Sequence, residues 1–140
     1  DYQTTLGLRA GYQNTGDQVT GIGYEATKEN TANDVVAIGY QAGESNDAAN
    51  QFIIKQANIN AVPLIQGDFS TGNVGIGTTS PATSAKLDIT STTGALLVPR
   101  MTTTQRDNLT AVNGMIIYNS TTNAFNFYEN GSWVTGSGLA

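Results

Sequence analysis

Apolar side chains recur along the first part of this chain at a spacing of 16 residues. Units at residues 5–20, 21–36 and 37–52, with a decaying fourth from residue 53, bring Leu6, Ile22, Ile38 and Ile54 into one column. Further columns hold Gly7, Gly23 and Gly39; Leu8, Tyr24 and Tyr40; Ala10, Ala26 and Ala42; and Asn14, Asn30 and Asn46. This period is too short for helical-pair solenoids, whose units exceed about 30 residues. It predicts one coil of a β-solenoid per unit, with two short strands and two corners, and with identical side chains stacked about 4.8 Å apart. The Ile column is expected to point inward, the Ala column to form a tight inner corner, and the Asn amides to bond to their neighbours above and below. Tyr24 and Tyr40 follow the Ile by two residues and share its face. They are expected to line a core or a subunit interface, with a ligand-stacking platform as the other reading.

The repeat dissolves after Phe52. Two short strands are expected at residues 52–55 and 63–66 around a polar bend, with Pro63 confined to a strand start or an edge. In residues 67–81 Val74 and Ile76 alternate with Gly75 and Gly77, the period of a strand with one buried face, and Pro81 ends it. After that joint, residues 85–89 alternate Leu87 and Ile89 inward with Lys86 and Asp88 outward. Residues 94–99 are apolar throughout, which suggests burial on both faces. Thr102 with Gln105 three residues on forms a capping-box pattern, predicting one or two turns of helix over residues 103–109. Strands follow at 113–119, 124–129 and 132–134, the last two joined by Asn130-Gly131, the dipeptide most favoured in two-residue hairpins. Phe125, Phe127, Trp133, Ile116 and Tyr118 are expected to supply a small aromatic core. Three segments result: a repeat region at 1–57, a strand and joint at 58–81, and a β-meander at 82–140.

Composition supports many short strands and turns around a thin core. Leu, Ile, Val and Phe number 30 of 140 residues, against 20 Thr, 16 Gly and 14 Asn. That proportion of large apolar residues barely exceeds the level of disordered chains, yet only 12% of residues are charged and the net charge is −5. Association between subunits can bury the missing area, so an oligomer is expected. The chain begins at Asp1 without an initiating Met, which suggests a piece of something longer or a processed product. Six basic residues spread over the sequence form no nucleic-acid patch, and no run is long and apolar enough for membrane insertion.

Catalytic chemistry is hard to build from this inventory. With no His and no Cys, Ser-His and Cys-His pairs and thiolate or imidazole metal sites are excluded. The glycines of GNVGIG imitate half a nucleotide-binding fingerprint, but TTSP forbids the helix that must follow. Asp17, Asn33 and Asp34 could offer calcium hard oxygen ligands. The third unit has Ala49 and Asn50 at the equivalent of the latter two, so these read as turn residues. No enzyme activity, cofactor or metal is expected.

The motifs AIGYQAG and GIGYEAT, then PLIQGDFSTGNVGIGTTSP, AKLDI, GALLVPRMTTTQRDNL and GMIIYNSTTNAFNFYENGSWV, resemble segments of bacteriophage tail fibres and of related bacterial surface proteins. The repeats are also similar to the heads of trimeric autotransporter adhesins. The resemblance implies a homotrimeric, elongated, all-β architecture: a β-solenoid or interwoven β-helix repeats followed by a small β-meander with one short helix. It implies a structural segment of a virion tail fibre that extends and presents a host receptor-binding tip, with other tail proteins and a host-surface glycan or protein as partners. A bacterial cell-surface adhesin or stalk is the alternative. Many such fibres end in a self-cleaving chaperone domain, and nothing here matches one. If the tip binds sugar, Tyr128 and Trp133, flanking the Asn130-Gly131 turn, are the candidate receptor contacts, set against a role for both in the meander core.

Overall fold

The computed structural model describes residues 2–56 and 61–136. The polar bend around residues 57–60, the boundary placed after residue 57, and residues 137–140 at the C-terminus lie outside the described residues. The chain divides into two compact units, Asp1–Gly94 and Ala95–Ala140.

The first unit is a seven-stranded sheet in sequence order: β1 (Gln3–Leu6), β2 (Val19–Ile22), β3 (Val35–Ile38), β4 (Gln51–Ile54), β5 (Ile65–Asp68), β6 (Asn73–Ile76) and β7 (Leu87–Ile89). β1 to β4 pair in parallel with a register of 16, as a solenoid requires. Where the repeat decays, pairing turns antiparallel for β4–β5 and β5–β6, then parallel again for β6–β7. Each coil supplies one strand, where two were expected. Its other side is a run of turns carrying positive-φ residues at three columns: Arg9, Glu25 and Gln41; Gln13, Glu29 and Ser45; Gln18, Asp34 and Asn50. Alternate amides there still donate to the coil before, as from Glu25 to Leu8, Thr27 to Ala10 and Glu29 to Tyr12. The backbone is thus satisfied between coils without a second regular strand.

The inside of the coil is narrow. Val19, Val35, Ala37 and Ile53 cluster there with Ala32 and Ala42, and Ala10, Ala26 and Ala42 fill the inner corner as expected. Gly21 shows how little room there is, since a Cβ on it would lie 2.5 Å from the Thr27 hydroxyl. The Ile column cannot occupy such a space, and it points outward, contrary to the inward ladder expected. Leu6, Ile22, Ile38, Ile54, Ile65, Ile76 and Ile89 are direct partners across all seven strands. This outer ladder is half-buried to exposed along its length, with Leu6 at 69% and Ile22 at 39% exposure. The same inversion holds at the joint, where Asn73 and Gly75 face in and Val74 and Ile76 face out.

Three polar columns tie the coils together. Asn30 lies between Asn14 and Asn46 and bonds to both through its side-chain amide. Arg9, Glu25 and Gln41 stack as cation, anion and amide, with Arg9 Nη1 2.9 Å from Glu25 Oε1 and Gln41 donating to Glu25 Oε2 at 3.1 Å. Lys28 meets Glu44 at 2.6 Å, and this hydrogen bond, with the nearby carboxylates, raises the Lys28 pKa. Alternation of sign down a column avoids the repulsion that identical charges would suffer at this spacing.

The second unit is a four-stranded sheet in the order β11 (Ser132–Thr135), β10 (Ala124–Glu129), β9 (Ile116–Asn119) and β8 (Arg100–Met101). Helix α1 (Thr103–Asp107) begins at the expected capping box, with Thr102 accepting from the Gln105 amide and Gln105 reaching back to the Thr102 N–H. The hairpin turn is also as expected: Asn130 and Gly131 have φ of 51° and 79°, as a type I′ turn requires. Residues 94–99 differ from expectation. They form no strand, and Leu96 and Leu97 are 68% and 69% exposed.

Candidate trimer interface

The two faces of the C-terminal sheet differ sharply. One carries Ile117, Asn119, Asn126, Tyr128, Trp133 and Thr135, fixed as a set by the register of β9, β10 and β11. On this face Arg106 of α1 donates to Asn126 Oδ1 at 2.8 Å, and Asn119 donates to Asn126 Oδ1 at 3.1 Å and to Thr103 Oγ1 at 3.0 Å. Asn119 and Asn126 are fully buried, so the centre of the unit is a satisfied polar network beside Ile117.

The other face carries Ile116, Tyr118, Phe125, Phe127 and Val134. Tyr118 and Phe125 meet edge to face at 5.5 Å, yet Ile116 and Phe125 remain 45% and 47% exposed. The aromatic core expected from these residues is therefore not closed by the described residues of one chain. Parity explains this, because Trp133 falls on the opposite face and the helix packs there too. The result is an apolar, aromatic sheet face left largely open by the described residues.

Tyr128 and Trp133 are brought together as direct partners on β10 and β11, with their rings 5.1 Å apart in an edge arrangement. The Arg106 guanidinium lies 5.7 Å from the Trp133 ring centroid. Tyr128 donates its hydroxyl to Gly131 O at 2.9 Å, and Gly131 N–H donates to Asn113 Oδ1 at 3.0 Å. Both rings thus brace the hairpin while staying partly accessible.

In the solenoid, Tyr24 and Tyr40 stack at 5.3 Å with planes 10° apart. Each covers one face of the other, and both rings remain partly exposed. Asn33 Oδ1 accepts from the Asp17 amide at 2.9 Å, a turn role. Among the described residues no group of three or more acidic side chains is placed to hold a metal ion, and no helix is long and apolar enough to cross a membrane.

The open aromatic face lies within residues 75–139, which match the family described as phage tail like trimerisation region. Over these residues, just under half of the chain, the match supports the resemblance to a phage tail fibre trimeric segment read from the sequence. The match supports self-association as a homotrimer and a structural role. No curated protein and no solved structure matches the chain. The five residues expected to form one aromatic core divide between the two faces of the sheet. The available signal was strand parity, which already separates Phe125 and Phe127 from Tyr128.

Proposed function

We propose that the chain is a structural segment of a homotrimeric phage tail fibre, which extends the fibre and presents a host receptor-binding tip. The observation that carries this reading is the uncovered apolar face of the C-terminal sheet, lying inside the segment that matches a phage-tail-like trimerisation region. A face of that kind costs free energy in water and gains it on association. Three copies joined there give a stable base on which a host-surface glycan or protein can be engaged. The partly accessible Tyr128–Trp133 pair is the candidate contact, alongside its bracing role. The partners are two further copies of the chain, neighbouring tail proteins and the host surface, and the place of action is the virion exterior.

Immunogold labelling with antibody against the purified chain tests this reading. Gold on the tail fibres of intact virions is the expected result. Gold on the envelope of the bacterium that encodes the chain, with none on virions, would replace it with a cell-surface adhesin or stalk.

A further inference from the structure

The outer ladder of the first unit runs unbroken from Leu6 on β1 to Ile89 on β7, one apolar rung per strand. Beside it runs a second column of direct partners, from Thr4 through Val36 and Phe52 to Leu87, and neither column contains a charged residue. Charged residues of the first unit fall elsewhere, among them Arg9, Glu25, Lys28 and Glu44 on the turn side of the coils, and Asp68 and Asp88 on strand positions of opposite parity. The apolar strip is therefore continuous and free of charge, and the exposed Leu8, Tyr24 and Tyr40 flank it at the end of the strands. Its lower rungs are among the most exposed, with Leu87 at 55% and Ile89 at 39%.

We infer that this strip is the interface on which three copies of the first unit pack around a common axis, so that trimer contacts extend from the trimerisation segment through the whole repeat region. The inference rests on the homotrimer proposed above and names a surface for it outside most of the matched residues. Two observations select further copies of this chain as the occupant. The last rungs, Ile76 and Ile89, already belong to residues 75–139, so the strip continues directly out of the segment that matches as a trimerisation region. The rungs also repeat once per coil. In a cyclic assembly whose axis runs along the ladder, each rung meets its own equivalent in the other two copies at the same height. A partner without that repeat would match few rungs.

The absence of cysteine from the sequence makes a single introduced thiol a clean probe in the full 140-residue chain. Ile38→Cys places it on a middle rung, Thr31→Cys on an exposed turn off the strip, and Phe125→Cys on the open face of the second unit. Each variant is treated with a bis-maleimide spanning about 10 Å, the separation of packed sheet faces. Linked dimers from Ile38→Cys, reaching at most about two of every three chains, with none from Thr31→Cys, are expected for a threefold contact. A trimer by light scattering that links through Phe125→Cys and not through Ile38→Cys would overturn the inference and leave the homotrimer standing. A monomeric wild-type chain would overturn both. Ile22→Cys repeats the test one coil earlier if Ile38→Cys misfolds.

Discussion

Asn30 donates its side-chain amide to Asn14 Oδ1 at 2.7 Å, across one full coil of the solenoid. The same amide donates to Ala32 O at 2.8 Å, while Asn30 Oδ1 accepts from Asn46 at 3.0 Å. Asn30 is completely buried, so its bonds are made where water cannot replace them. Replacing it with Ala leaves a buried carbonyl and two neighbouring amides short of partners, and a loss of about 2 kcal/mol is expected. Chemical denaturation of the Asn30→Ala chain beside the wild type measures it.

Gly23 separates strain from collision. Its φ is +130°, and a Cβ there would lie 2.5 Å from Gly39 O in the next coil, whereas Gly114 has φ +98° with nothing near its missing side chain. Gly114→Ala is expected to cost about 1 to 2 kcal/mol from backbone strain alone. Gly23→Ala meets immovable backbone as well and should cost clearly more, or prevent folding. Comparing their unfolding midpoints is the check, and equal effects would contradict the close stacking of the coils.

Trp133 is packed between Tyr128 and Arg106. Trp133→Ala is expected to lower stability by about 2 to 3 kcal/mol, the loss of a large, partly buried ring, and to weaken attachment to host cells less than this loss of fold would suggest. Melting curves and cell-binding assays on the same preparation decide it. A mutant that keeps its melting temperature and no longer binds would move Trp133 from the fold to the receptor site.

Much of this was legible in the sequence because it is local or periodic. The Asn and Ala columns, the Thr102 capping box and the Asn130-Gly131 turn each depend on a few residues whose chemistry permits little else. The orientation of the Ile column was not legible. Alternation shows that Ile22 and Thr20 share a face and that Val19 and Gly21 share the other, but both faces contain apolar residues. The deciding quantity is the width of the coil, set by contacts such as Gly21 against Thr27 that arise only when coils stack. Likewise Leu96 and Leu97 read as buried because they are apolar, while the described residues leave both largely exposed. In the candidate site, the Tyr128–Trp133 pairing could be read from the hairpin and strand parity sets Phe125 and Phe127 on the other face, whereas which of the two faces stays open depends on where α1 packs.

Asp68 gives the molecule an acid-sensitive point. Its carboxylate accepts from the Ser70 hydroxyl at 2.6 Å and the Ser70 amide at 2.8 Å, and these bonds hold its pKa below the ordinary 3.8. Folding thus favours the ionised form. The stabilisation is present above about pH 3.8 and is lost as pH falls through the lower, folded-state value. Asp68→Asn should flatten that acid limb in a series of melts against pH and leave the neutral region's slope unchanged.

The central claim is that this chain closes its apolar faces by assembling in threes. The molar mass of the purified 140-residue chain by light scattering tests it most directly. A homotrimer predicts three times 14.7 kDa, about 44 kDa. A folded species of 14.7 kDa would contradict it, because the outer ladder and the aromatic face would then stand open to water in the stable state.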